Sequence, residues 1–266
     1  MNKRRVFYAS LASLMMVACA PKHYQLTNVE RTRVIVDSRY DKNPDEAAVK
    51  FLEPFKRVND SIMGPIVGVV ARNMYADRPE SNLSNLLADI LVWSAKDYNE
   101  KAVLGIYNMG GIRADLTKGN VTYGDVLDVA PFENKICFIT LTGEQMLTLF
   151  RQIAHRGGEG VSHGVELVIT EDGKLISSKL HGKEIDPKAE YRIATINYLI
   201  EGNDGMPVLR EGTNILAPNE KSNNTRFLIM NYFKDHQARG VVVDSQVEGR
   251  IKIQLELCVD YTLLYL

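Results

Sequence analysis

The chain has 266 residues, 45% hydrophobic and 24% charged, an ordinary globular composition that excludes a disordered polymer and a multi-span membrane bundle. Its 32 basic and 33 acidic residues leave a formal charge of -1. No global field therefore draws nucleic acid or an anionic membrane, and any anion site has to be local.

The sequence opens MNKRR, continues VFYASLASLMMVA and reaches Cys19, the basic, apolar and small-residue order of an export signal. The apolar run is too short to span a bilayer. Met16, Val17, Ala18 and Cys19 resemble a bacterial lipobox, with Met where Leu is usual. Residues 1–18 are thus expected to be a signal peptide and Cys19 the lipidated first residue of an exported, membrane-anchored lipoprotein. Residues 19–44 would carry the lipid and a polar tether, and residues 45–266 the folded domain.

From Asp45 to Ile62, Ala48, Phe51, Leu52, Phe55, Val58 and Ile62 recur at helical spacing behind Pro44, and Pro54 is expected to kink that helix. PIVGVV at 65–70 reads as a short strand. Asn82 to Tyr98 reads as a helix, because Leu83, Leu86, Leu87, Ile90, Leu91 and Ala95 share a face. VLGIYN at 103–108 has the composition of a buried strand and runs into Gly110 and Gly111. GNVTYGDV at 119–126 leads through APFENK to the strand KICFITL, after which Thr142 and Gln145 are spaced as a capping box for a helix to Ala154. From Gly164 onward the pattern is mostly strand: VELVI, LISSKL and YRIATI. Cys137 and Cys258 sit in strand-like runs and read as inert core residues. The tail CVDYTLLYL is too short to cross a membrane and reads as a last strand or a packed end. Helices alternating with strands early and strands dominating later, without a repeat or long linker, predict one α/β domain with mixed sheets and flanking helices.

A buried strand ending in Asn108, followed by Gly110, Gly111 and Arg113, has the parts of an oxyanion or nucleotide pocket. The glycines let backbone approach a ligand, the Asn108 amide donates and accepts, and Arg113 offers a fork of donors to phosphate or sugar oxygens. Taken alone, such a turn serves the backbone as often as a ligand. PFEN at 131–134 adds Phe132 and Asn134, and NYLIEGNDG at 197–205 adds Tyr198 and Asp204. Two rings can sandwich a flat base, and a carboxylate can accept from ribose hydroxyls. Each ring by itself reads as core packing and Asp204 as a turn residue; the set carries the reading.

The ordered segments NLSNLLAD, NMGGIRADLTKGNVTYGDVLDVAPFENK and INYLIEGNDGM resemble the C-terminal domain of the 5'-nucleotidase family, whose patterns run NLGNL, N-x-G-G-I-R, PF-x-N and N-x-x-x-x-G-x-D-G. The resemblance spans about residues 45–252 and implies that fold. It implies that Asn108 contacts a base, Arg113 phosphate or ribose, Phe132 and Tyr198 stack on the base, Asp204 binds the ribose and Asn134 supports them. Tyr198 stands where Phe is usual, Asn203 and Ser84 where Gly is usual, and Arg78 is a loose counterpart of a family arginine.

Family members hydrolyse phosphate esters at a dinuclear metal site in a separate N-terminal domain, built on D-x-H, G-N-H-E or G-N-H-D, and G-H-x-H. None of these motifs occurs in this sequence, and His23, His155, His163, His181 and His236 stand apart, without metal-ligand spacing. No catalytic residue, metal ligand or cofactor is therefore expected in this chain. The leading expectation is the nucleotide-binding half of a split 5'-nucleotidase that needs a separately encoded metallophosphoesterase, which would hold the divalent metals. A non-catalytic nucleotide- or nucleoside-binding envelope lipoprotein is the alternative, and a degenerate scaffold the third reading.

Overall fold

A computed structural model of the protein describes residues 24–254, apart from 36 and 40. The expected signal, Cys19, Cys258 and the C-terminal tail lie outside the described residues.

The chain divides into two compact units, Met1–Leu52 and Glu53–Leu266. In the first, residues 24–35 carry no regular structure. Asp45 Oδ1 accepts from the N–H groups of Ala47 (2.9 Å) and Ala48 (3.0 Å), satisfying the open amides at the start of helix α1 (Glu46–Met63). The boundary between the units falls inside α1, which continues through Pro54. Pairs Glu53–Arg57 and Lys56–Asp60 brace its second half at i,i+4 spacing. None of its residues is buried, and Val49, Leu52, Val58 and Ile62 are each more than half exposed.

The second unit continues with β1 (Ile66–Val70), α2 (Asn82–Ser94), β2 (Leu104–Tyr107), β3 (Gly119–Thr122), α3 (Tyr123–Val129), β4 (Ile136–Thr142) and α4 (Gly143–His155). Then come β5 (Gly160–Val161), β6 (Val165–Thr170), β7 (Leu175–Leu180), β8 (Lys183–Glu184), β9 (Glu190–Ile196), α5 (Asn197–Ile200), β10 (Thr213–Leu216), α6 (Thr225–Ala238) and β11 (Ile251–Gln254). This is the mixed α/β architecture expected from the sequence.

The central sheet has the order β10-β4-β9-β2-β5. Strand β9 lies antiparallel to β4, from Ile136 opposite Ile196 to Thr142 opposite Glu190, and parallel to β2. That arrangement decides where the site forms. Strands β2 and β9 both end at the edge where β4 begins, so the segments after Tyr107, before Ile136 and after Ile196 emerge side by side.

Helix α2 packs Leu83, Leu86, Leu87, Ile90 and Leu91 into the core. At Gly105 a Cβ would fall 2.2 Å from the Ala88 carbonyl oxygen, so only glycine allows helix and strand this close. Ser84, at the third helical position, accepts from the Ser81 N–H at 3.2 Å with its hydroxyl 2.8 Å from that of Ser81. The α-helix ends at Ser94, short of the expected Tyr98. The remainder tightens into a 3-10 turn, closed by Asn99 in the left-handed region at φ 55°, which Asn tolerates.

The capping box of α4 is present: Gln145 N donates to Thr142 Oγ1 (3.3 Å) and Thr142 N to Gln145 Oε1 (2.9 Å). A second box, between Thr122 and Asp125, splits GNVTYGDV into β3 and α3. Strands β11-β6-β7-β8 form a separate mixed sheet. The strand-rich expectation for the C-terminal third fails at α6, where the apolar residues Phe227–Met230 run consecutively and mask a helix. Asn224 Oδ1 caps it by accepting from Arg226 N (3.1 Å). Trp93 of α2 meets Tyr232 of α6 edge to face at 5.1 Å between ring centroids, with Lys96 Nζ 3.9 Å above its ring. Among the described residues no helix is long and apolar enough to cross a membrane.

Candidate nucleoside cavity

Asn108, Gly110, Gly111, Phe132, Asn134, Tyr198 and Asp204 line one cavity of about 250 Å³ at that edge of the central sheet. Arg113, the remaining residue singled out from the sequence, is exposed outside this lining, where Nη1 donates to the Gly110 carbonyl at 3.3 Å.

Strand β2 delivers Asn108 into a 3-10 turn, Met109–Gly111, closed by Gly111 N donating to the Asn108 carbonyl at 3.0 Å. The Asn108 side chain is buried; Nδ2 donates to Asp204 Oδ2 at 2.9 Å, while Oδ1 has no hydrogen-bond partner. A buried acceptor left unpaired costs about 1–3 kcal/mol, so this oxygen is ready for a donor entering the cavity. A Cβ on Gly111 would stand 2.6 Å from it, which makes the glycine a requirement for the rotamer of Asn108.

Asp204 adopts φ 52° between Gly202 (74°) and Gly205 (68°), a left-handed turn that swings its carboxylate back over the cavity. Tyr198, in α5, donates from its hydroxyl to Asp204 Oδ1 at 3.2 Å. Partial withdrawal from water, then the negative charge of Asp204, hold the Tyr198 phenol above its ordinary pKa, so it stays a donor. With Asn108 on one oxygen and Tyr198 on the other, the carboxylate keeps lone pairs for a diol. Phe132 is half exposed, an apolar wall open to a ligand's flat face.

Sequence reasoning missed the support beneath this turn. Glu159, 1% exposed, accepts from Met109 N at 2.7 Å through Oε2. Its Oε1 receives Arg156 Nε at 2.6 Å and Arg78 Nη2. Arg156 Nη2 stands 3.7 Å from Asp204 Oδ1. One buried carboxylate thus ties the Asn108 turn to two guanidinium groups, one of which also stands beside the Asp204 carboxylate. In the sequence Glu159 is hidden inside GGEG, which reads only as a turn.

Cys137, buried on β4, is free, and burial pushes its thiol up to about 12, as suits the inert core residue expected. Among the described residues no group of three or more His, Cys, Asp or Glu side chains could hold a metal ion. The donors among the described residues do not fit the dinuclear centre that the resemblance associates with hydrolysis.

A family model described as 5'-nucleotidase, C-terminal domain, matches residues 63–211, more than half of the chain and all of the cavity lining. Protein UshA of Yersinia enterocolitica is 28% identical over 166 residues, covering 61% of this chain and 30% of that protein. The 5'-nucleotidase of Vibrio cholerae is 25% identical over 226 residues, covering 82% of this chain and 38% of that one. The crystal structure of a 5'-nucleotidase precursor from Thermus thermophilus superposes with a TM-score of 0.66 and 25% identity, over 80% of this chain and 43% of that one. The chain therefore spans less than half the length of these relatives.

Proposed function

This chain belongs to the 5'-nucleotidase C-terminal domain family, and we propose that it is the nucleotide-binding half of a split 5'-nucleotidase, with a separately encoded metallophosphoesterase supplying the metals and the attack on phosphorus. The observation that carries the reading is the unpaired, buried Oδ1 of Asn108 in a cavity also lined by two aromatic rings and a carboxylate. A nucleobase slots between Phe132 and Tyr198, and its edge N–H meets Asn108 Oδ1. The ribose diol donates to Asp204. Arg113, at the mouth, meets phosphate.

In this division of labour the chain binds and orients, and its contribution to rate is positional. The exposed apolar residues of α1, Val58 and Ile62 among them, support a further protein surface covering that helix. Export and a lipid anchor at Cys19 belong to the same proposal, which puts both partners outside the cytoplasm.

The test has two parts. Calorimetry of the whole chain with adenosine and AMP should show saturable binding that Asp204→Asn weakens at least about tenfold. Mixing the chain with an exported metallophosphoesterase carrying D-x-H, G-N-H and G-H-x-H motifs should raise phosphate release from AMP above the rate of that enzyme alone, and Arg113→Ala should cancel the gain. Binding without any gain leaves a capture protein instead of a half-enzyme. Absence of binding in both settings leaves a scaffold.

A further inference from the structure

We propose that a second cavity, bounded by Lys135, Lys221 and Arg226, is a binding site for a phosphate-class oxyanion, distinct from the nucleoside cavity and independent of the function assigned to it. This cavity has a volume of about 340 Å³, room for inorganic phosphate or pyrophosphate. Three cationic side chains and one carboxylate, Glu133, line it, a local excess of positive charge on a chain whose formal net charge is -1. Among the described residues none of the three cations forms an ion pair. Three cations facing one carboxylate that pairs with none of them leave a net positive repulsion, and an oxyanion that accepts from all three relieves it.

Two of the cations are already held in place. Lys135 Nζ donates to the Asn219 carbonyl at 2.8 Å and to Asn219 Oδ1. Arg226 Nη2 donates to the carbonyls of Pro131 (2.7 Å) and Phe132 (3.2 Å), while its Nε is a buried donor with no partner. The cavity also lies at the first turn of α6, whose positive dipole end adds to the field. A planar guanidinium with donors to spare, beside two ammonium groups, matches a tetrahedral oxyanion of more than one charge better than a single carboxylate.

The placement has a second consequence. Along residues 132–135, Phe132 and Asn134 line the nucleoside cavity whereas Glu133 and Lys135 line the cationic one. Arg226 grips the backbone that carries Phe132. An anion drawing on Arg226 therefore acts on the segment that forms one wall of the nucleoside cavity.

The experiment titrates the whole chain with inorganic phosphate and with pyrophosphate at a constant ionic strength of about 0.15 M, following backbone amide shifts by NMR. Saturable shifts are expected at residues 132–135 and 219–227. Among the described residues the Lys221 side chain makes no hydrogen bond or ion pair that would hold the fold, so Lys221→Glu should weaken binding at least about tenfold at an unchanged melting temperature, with Lys221→Arg restoring it. Asp204→Asn should leave anion binding intact. Shifts that never saturate, binding indifferent to Lys221→Glu, or binding lost with Arg113→Ala would each overturn the proposal, the last by moving the anion to the 108–113 loop.

Discussion

Asn108 Nδ2 donates to Asp204 Oδ2 at 2.9 Å across 96 residues of chain, and this one hydrogen bond joins the loop after β2 to the turn after β9. It fixes the Asn108 amide so that Oδ1, the unpaired acceptor, belongs to the cavity. Replacing Asp204 therefore acts twice, on the proposed diol contact and on the orientation of Asn108. Asp204→Asn tolerates the left-handed backbone and should lower adenosine affinity about tenfold to a hundredfold, with the melting temperature nearly unchanged. Calorimetry and a thermal melt on the same sample check it. Unchanged affinity would remove Asp204 from the site.

The two glycines of the loop should behave differently. A methyl on Gly110 meets nothing nearer than 3.9 Å, whereas on Gly111 it meets Asn108 Oδ1 at 2.6 Å. Gly111→Ala is expected to cost about 1–3 kcal/mol by displacing Asn108 from its bond with Asp204. Gly110→Ala should stay within about 0.5 kcal/mol of the parent in urea unfolding. Equal losses would refute the contrast.

Glu159→Gln tests the support under the loop. It leaves the guanidinium groups of Arg78 and Arg156 without their shared carboxylate, the case in which removing one partner of a buried pair costs most. Because Arg78 and Arg156 are 37% and 26% exposed, water offsets part of the loss, and about 2 kcal/mol is expected. Hydrogen exchange at Met109 N–H should rise along with the fall in unfolding free energy. A neutral outcome on both readouts would show that the buried carboxylate does not position the loop.

The alkaline limb of stability follows from two buried groups. Burial pushes both the Tyr107 phenol and the Cys137 thiol up to about 12. The folded state then holds these protons more tightly than the unfolded chain does. Their contribution is fully present below the unfolded values, about 9 for the thiol and about 10 for the phenol, and is lost as pH rises through them toward 12. The urea midpoint should fall steadily from pH 9 to pH 11.5, and Phe in place of Tyr107 should flatten part of that slope. Native Cys137 should also resist alkylation at pH 8 and react only after unfolding, as read by peptide mass mapping.

Arg113 is exposed and outside the cavity lining, with Nη1 on the Gly110 carbonyl at 3.3 Å. Arg113→Ala is therefore expected to spare adenosine affinity, within about threefold, and to weaken AMP by about tenfold. An equal effect on both ligands would place it on the nucleoside instead.

Much of this is legible in the sequence, and each feature that is not has its own physical reason. Asn108, Phe132, Asn134, Tyr198 and Asp204 each stand in a short local motif, and the resemblance of those motifs, in order, to the family's patterns is what gathers them into one set. Thr142 and Gln145 announced a helix start for the same reason. Glu159 was invisible because its partner, the Met109 amide, lies 50 residues away and a backbone N–H has no sequence signature. Helix α6 was missed because Phe227, Leu228, Ile229 and Met230 are consecutive apolar residues, which hides the 3.6-residue period. Arg113 stands outside the lining because its Nη1 turns back onto the Gly110 carbonyl, a local contact that spacing along the chain does not reveal.

Trp93, the sole tryptophan of the sequence, packs at the α2–α6 contact against Tyr232 and under Lys96 and takes no part in the cavity lining. Its emission is thus a built-in reporter of whether those two helices are docked. Ligand titrations should leave it nearly silent while denaturant moves it strongly, so affinity and unfolding can be followed in one cuvette through separate optical channels, without an introduced dye.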